Sequence, residues 1–124
     1  MWDKGITMRL NEITYSDAMP VEGYGPGFFR IGGQAVDGPV CMTPRGRIGW
    51  GGLSDEDTLL ALADSIDVLF VGTGRDIAFL PQSLTERLEQ AGVGVEVMNS
   101  PSACRTYNVL LAEGRRVALA VLPV

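Results

Sequence analysis

The residue types best suited to chemistry stand in one run, Asn99-Ser100-Pro101-Ser102-Ala103-Cys104-Arg105-Thr106-Tyr107-Asn108. Serine followed by proline reads as a helix cap with proline in the first turn, so this run opens a helix. With Ser100 as the cap, Cys104 falls in about the first turn. There the helix dipole and Arg105 would both lower the thiol pKa and yield a nucleophile or a redox thiol. Free amides at such a helix start also suit an anion. The competing reading is a packed structural thiol, since cysteine is among the most buried residue types. The packed thiol is the reading adopted, because the sequence has no histidine to serve as its base. Tyr107 and Asn108 would orient polar partners or satisfy backbone groups in the core.

The second candidate is Gly72-Thr73-Gly74-Arg75, which follows an apolar run and lies where a phosphate-binding turn would lie. It departs from the dinucleotide fingerprint, because Ile77 stands where a third glycine is needed. No Gly-Lys-Ser/Thr follows, so the phosphate loop of nucleotide hydrolases fails too. A tight turn after a central strand accounts for the glycines. The alternative is a nest of backbone amides that holds an anion with help from Arg75. Ligands of open α/β sheets bind beyond the carboxyl ends of strands. The two segments therefore define one candidate ligand site: Gly72, Thr73, Gly74, Arg75, Ser100, Cys104, Arg105 and Asn108. Its ligand would be a small anion, and no residue in it is assigned a catalytic role.

Other chemistry is excluded by composition. Without histidine there is no Ser-His-Asp or Cys-His arrangement and no His-containing metal site. Cys41 and Cys104 read as two separate thiols, and no Cys-x-x-Cys occurs. No metal and no cofactor are expected. Asp55, Glu56 and Asp57 place negative charge in the first turn of a helix, where the dipole favours it, and are not read as a metal cluster. The net charge of −5 disfavours nucleic acid, which needs a concentrated positive face. Arg45 and Arg47 flank Gly46, and Arg115 adjoins Arg116. These pairs read as two solvated turns, the alternative being a local basic patch.

The elements that must position these residues change in texture near residue 52. Arg9 to Ile13 reads as a short strand, Met19 to Gly27 as a loop, and Phe28 to Ile31 as extended chain. Ala35-Val36 and Val40-Cys41-Met42 flank Asp37-Gly38-Pro39, a hairpin signal. Arg45-Gly46 marks a second turn before an extended Ile48 to Trp50. This half reads as a β-meander. Ser54 then caps a helix that continues through Leu59, Leu60, Leu62 and Ala63. Ile66 to Val71 has the near-continuous apolarity of a strand covered on both faces. A helix follows Pro81, with Leu84, Leu88 and Ala91 on one stripe and Gly92 at its left-handed end. Val93, Val95 and Val97 alternate as a strand. The helix from Ser100 stops at Gly114, and Val117 to Leu122 is a last apolar strand.

The order is a meander followed by α-β-α-β-α-β, and crossover helices of this kind imply an α/β domain with a mixed sheet. The 124 residues suit one domain. Hydrophobic residues make up 46% of the chain, ample for a core, yet no apolar run reaches the length of a membrane span. The N-terminus lacks the pattern of a signal peptide. Trp50 is flanked by Gly49, Gly51 and Gly52. It packs in the core, or it stands on a partner surface that the glycines leave open, together with the Gly23 to Gly27 loop.

With these residues laid out, the chain resembles the domain family of unknown function numbered 498, the Mth 938-like domains. The likeness is carried by Phe29-x-Ile31-Gly32-Gly33, Gly38-x-Val40, Trp50, Gly72-Thr73-Gly74, Leu80-Pro81 and Gly92-x-Gly94-Val95-Glu96-Val97-Met98. It continues in Ala103-Cys104-x-Thr106-Tyr107-Asn108-x-Leu110 and Glu113-Gly114-Arg115-x-Val117. It covers residues 8–124 as a single domain and leaves residues 1–7 as an N-terminal extension. The resemblance implies a three-layer α/β fold with a mixed central sheet and no established enzymatic activity. Mitochondrial members take part in respiratory complex I assembly. The expected function is therefore a non-enzymatic binding or assembly protein with a protein partner, such as respiratory-complex subunits or assembly factors. It would not insert directly into a membrane. The alternative is a small-anion-binding protein or a thiol-dependent enzyme using the cleft between Gly72–Arg75 and Asn99–Arg105. Asn99-Ser100 departs from the Asp-Thr of many members, which weakens any scheme needing a carboxylate there. The absence of a mitochondrial presequence implies a bacterial, cytoplasmic member.

Overall fold

Apolar residues that recur at every position need neighbours on both sides, whereas those that alternate need only one, and this difference sorts the strands into two sheets. The computed structural model describes residues 18–124. Its elements are β1 (Gly23–Gly25), β2 (Phe28–Ile31), β3 (Gln34–Asp37), β4 (Val40–Thr43), β5 (Gly46–Ile48), α1 (Glu56–Leu60), β6 (Val68–Gly72), α2 (Gln82–Gln90), β7 (Gly94–Met98), α3 (Ser100–Ala112) and β8 (Val117–Val121). The order confirms a mixed α/β domain. The expected strand at Arg9 to Ile13 and the extension at 1–7 lie outside the described residues.

The larger sheet has the order β5-β4-β8-β6-β7. Strands β7, β6 and β8 run parallel, with Val68 opposite both Gly94 and Val117. Strands β4 and β5 are antiparallel additions, with Met42 opposite Leu119 and Cys41 opposite Ile48. All five residues of β8 are buried, as its central place requires. Period-two alternation divides the core between the two faces of the sheet. Met42, Phe70, Val117, Leu119 and Val121 meet Ala103, Cys104 and Tyr107 of α3, along with Phe29 and Ile31 of β2. On the opposite face Cys41, Leu69, Val71, Ala118 and Ala120 meet Leu59 of α1 and Leu84 and Leu88 of α2.

The smaller sheet, β1-β2-β3, is the antiparallel meander. The N-terminal half therefore differs from expectation in two ways. Gly23–Gly25, inside the expected Met19–Gly27 loop, pairs as a strand with Gly25 opposite Phe28. Asp37-Gly38-Pro39 does not close a hairpin. It carries the chain from the small sheet to the large one, because β3 pairs with β2 and β4 pairs with β5 and β8. The burial patterns give the reason. Every residue of β4 is buried and needs a strand on each side, while β3 is mostly exposed and suits an edge. The Arg45-Gly46 turn does form a hairpin, with Gly46 at φ +108°. The strand after it ends at Ile48 rather than Trp50.

Helix α1 is shorter than expected, and its cap position is Asp55 rather than Ser54. Past Leu60 the chain tightens into amide bonds from Leu62 to Leu59 and from Ser65 to Leu62. These turn the chain so that Ile66 enters the core at 2% exposure. Leu62 and Ala63 lie in that turn. Helices α2 and α3 match expectation, and their terminal glycines, Gly92 and Gly114, take φ +89° and +79°.

Candidate functional site

The structure brings the two expected segments together and spends their polar groups on each other. Strand β6 delivers Gly72 to the sheet's carboxyl end, where β7 hands the chain directly to α3. The cap of α3 is Asn99, whose Oδ1 accepts the Ser102 amide at 2.8 Å. Ser100 is the first residue of the helix and fully buried. Its Oγ accepts the Gly74 amide at 2.8 Å and donates to the Leu122 carbonyl at 2.6 Å. Its own amide donates to the Gly74 carbonyl at 2.7 Å. The expected role of Ser100 as cap is thus corrected: its hydroxyl staples three chain segments.

The glycines make that staple fit. A Cβ on Gly72 would lie 2.6 Å from Ser100 Cα and 2.7 Å from Val121 Cγ1, so only hydrogen is accommodated. Gly74 takes φ +100°, a left-handed conformation open to glycine. Thr73 closes the following turn. Its hydroxyl accepts the Ala78 amide at 2.8 Å and donates to the Asp76 carbonyl at 2.9 Å, while its amide donates to Met98. An anion nest needs amides left over. Here the amides of Thr73, Gly74, Ser100, Ser102 and Ala103 all have protein acceptors. Arg75 and Arg105 are exposed, and Arg105 reaches back to Ser102 Oγ at 3.1 Å. The Gly74 and Ser100 backbones and the Ser100 hydroxyl thus lace the corner together, and the amides that remain without a protein acceptor among the described residues in this turn are those of Arg75, Asp76 and Ile77 on its exposed side.

Cys104 is buried at 5% exposure on the α3 side of the sheet. Burial pushes its thiol up to about 11, and the nearby Arg105 charge lowers it by less. The expected lowering of the thiol is therefore corrected: it rises, because desolvation outweighs the Arg105 charge. Cys41, on the other face, is pushed up to about 12, chiefly by burial and further by Asp55. Both are protonated thiols near neutrality.

Asn108 binds the chain's own backbone. Its Oδ1 accepts the Val21 amide at 2.9 Å and its Nδ2 donates to the Val21 carbonyl at 2.8 Å, the pair of bonds a neighbouring strand would make. Tyr107 donates its hydroxyl to the Met19 carbonyl at 2.9 Å. These adjacent side chains tie residues 19–21 to α3. Trp50 is 7% exposed, packs against the α1–α2 side of the core, and donates Nε1 to the Asp55 carbonyl at 3.2 Å. The partner-surface reading of Trp50 is corrected accordingly. Its flanking glycines serve the turn, where Gly51 donates to Asp55 Oδ2 at 3.0 Å.

Among the described residues, two open surfaces lie at opposite ends of the sheet. Beyond the carboxyl end of β6, Ile77 is 65% exposed and Phe79 fully so. With Leu80, Thr85 and Val97 they line an apolar hollow of about 800 Å³ beside β7, one of the two outermost strands of the described sheet. The sequence carries a signal for this surface that periodicity does not read. Ile77-Ala78-Phe79-Leu80 is an apolar run too short for a buried helix, and it is stopped by Pro81. At the other end Arg45, Arg115 and Arg116, expected on separate solvated turns, line one pocket. No group of three or more Cys, Asp or Glu residues among the described residues is arranged to hold a metal ion.

Comparison with known proteins places this architecture. A family model described as protein of unknown function (DUF498/DUF598) matches residues 21–122. The chain belongs to the DUF498/DUF598 family. It is 47% identical over 116 residues to an uncharacterized protein of Rhodobacter capsulatus, covering 94% of each chain. It is 30% identical to the NADH dehydrogenase [ubiquinone] 1 alpha subcomplex assembly factor 3 of Rattus norvegicus, over 95% of this chain. The match spans 66% of that relative's length, just under two thirds. Among solved structures, the Mth938-like domain of Bordetella pertussis superposes with a TM-score of 0.73 at 29% identity, covering 94% of this chain and 92% of that one. The mixed sheet and three helices described above are thus an Mth938-like fold. No helix among the described residues is long and apolar enough to cross a membrane.

Proposed function

We propose that this chain is a non-enzymatic binding protein that assists the assembly of respiratory complex I or a related membrane complex. The observation that carries the reading is the exposed Ile77–Phe79 surface beside β7. A fully exposed phenylalanine over an apolar hollow is costly to leave in water and typical of a binding anchor. An outermost strand offers backbone groups to which a partner can add an extended segment, with apolar side chains seated alongside. Kinship with assembly factors supports a protein as the occupant. The Gly72–Ser100 corner is laced by the Ser100 hydroxyl and both thiols are buried and protonated, and this supports a binding role over thiol chemistry.

The test is quantitative co-purification from the native host with tagged wild type, Phe79→Asp and, as a control, Val109→Ser. Subunits or assembly factors of a respiratory complex should be enriched with wild type and with the control on α3, and lost with Phe79→Asp. Recovery of the protein without them, or their retention by Phe79→Asp, defeats the proposal.

A further inference from the structure

We propose that the pocket at the amino ends of β6 and β8 is a binding site for a small amphipathic anion, a carboxylate or phosphate monoester with a compact apolar body. The inference is independent of the partner surface, which lies at the other end of the sheet.

Strand register builds this pocket. Antiparallel pairing of Met42 with Leu119 sets the β4–β5 turn beside the residues that precede β8. Parallel pairing of Val68 with Val117 brings the 64–67 segment to the same level. Three connections far apart in sequence, with Ala18 at the start of the described residues, thus line a pocket of about 720 Å³, within the size range of small-molecule sites. Arg45 comes from the first connection, Asp64 and Ser65 from the second, and Arg115 and Arg116 from the third, with Leu111 of α3 as an apolar wall. Three of the eight arginines among the described residues meet here, on a chain of net charge −5.

The chemistry of the lining selects the ligand. Arg116 is held in place by Asp67, with Nη2–Oδ1 at 3.0 Å and Nε–Oδ2 at 3.4 Å. Asp64 adds a negative charge to the lining, so with Asp67 beside Arg116 the rim carries three positive and two negative groups and favours a ligand with one anionic group over a polyanion. Guanidinium groups match carboxylate and phosphate oxygens in paired geometry, and Ser65 supplies a hydroxyl. The arginines are not consumed in capping α3. The carbonyls of Leu110 and Leu111 already accept the amides of Arg115 and Gly114, each at 3.0 Å. Leu111 and Pro44, both in the lining, give the ligand's apolar part a place to lie.

The experiment is titration of the isotope-labelled full chain with phenyl phosphate, benzoate and neutral benzyl alcohol, followed by amide chemical shifts. Phenyl phosphate or benzoate should shift Ser65, Gly114, Arg115 and Arg116 saturably. The two probes distinguish phosphate from carboxylate preference, and benzyl alcohol should leave these amides unmoved. Arg45→Gln with Arg115→Gln should weaken binding about tenfold or more, the loss of a charge-assisted contact, while amides elsewhere keep their positions. Arg105→Gln, at the far end of α3, should change nothing. Saturable shifts that survive the double substitution, shifts centred on Gly72–Ser102, equal shifts with benzyl alcohol, or no saturable shift with either anion would each overturn the proposal.

Discussion

The two ends of the five-stranded sheet are finished in opposite ways. At the carboxyl end, β6, β7 and the chain after β8 are drawn together by one buried hydroxyl, and Gly72 leaves no gap for anything else. At the amino end, two of three connections are tied through Asp67 and Arg116 at the surface, and the three leave a pocket rimmed by arginine. In open α/β sheets the carboxyl end is where ligands are expected. That expectation rests on amides left unpaired at strand ends and helix starts. Here the amides of Thr73, Gly74, Ser102 and Ala103 bond to Met98, Ser100 and Asn99, so the part of the site that faces the helix is spent on the fold. The lesson is that a glycine turn facing a helix start becomes a site only if its donors are left over.

The most disruptive way to break this contrast is Gly72→Ala. The added methyl would meet Ser100 Cα, a backbone atom that cannot swing aside, as well as Val121. Overpacking of this kind costs about 3 kcal/mol or more where the backbone has to move. Urea unfolding should show that loss. A loss below about 1 kcal/mol would show that the corner can open, and would return it to consideration as a cleft.

Ser100→Ala tests the staple without crowding it. The buried Gly74 amide and Leu122 carbonyl would each lose a partner, a cost of about 1–3 kcal/mol. Asn99→Ala, which removes only the cap to Ser102, should cost about 1 kcal/mol. A reversed order would mean that capping, rather than the staple, holds this end of the sheet.

The buried thiols extend the contrast into pH. Cys104 and Cys41 rise to about 11 and about 12 from an ordinary 9.0, so the folded chain holds these protons more tightly than the unfolded chain. Their contribution to stability is therefore complete below about pH 9 and is lost as pH rises from 9 towards 11 and 12. The urea midpoint should fall between pH 8.5 and 10.5, and less so in Cys104→Ala. At pH 8 a thiol reagent should label the native chain far more slowly than the chain in urea. Labelling of the native chain at the rate of free cysteine would restore Cys104 as a reactive group.

Much of the fold was legible in the sequence because burial leaves a periodic mark. The runs at Val68–Gly72 and Val117–Val121, the Leu84–Leu88 stripe and the stops at Gly92 and Gly114 each state their element locally. The split of the N-terminal half between two sheets was not legible. Asp37-Gly38 has hairpin chemistry whether the chain turns back or crosses over, and only the partners of β4 decide between them. The candidate site was legible as a meeting of two segments but not as a closed one. The bonds that close it join residues 22 and 26 positions apart, and no spacing rule announces them. The acidity of Cys104 is hidden from the sequence for a similar reason. Arg105 is visible in sequence and does pull the thiol down, but the packing that outweighs it comes from β6 and β8.

The smallest expected effect sharpens the contrast most. Phe79 lies on the carboxyl-end side yet makes no contribution to closing the corner, since its side chain is wholly in solvent. Phe79→Ser should leave the urea midpoint within about 0.5 kcal/mol of wild type, the range for surface positions away from such features. A distinct destabilisation would mean that the phenylalanine packs on the protein itself, and that the apolar hollow is part of the fold. Unchanged stability leaves Phe79 with no structural work to account for it. A residue whose exposure is unfavourable in water and which does nothing for the fold is then explained by what it meets outside the chain. The carboxyl end of the sheet would in that case still be a functional end. It would act through the apolar shoulder that its closed corner holds in place, and not through the glycine turn itself.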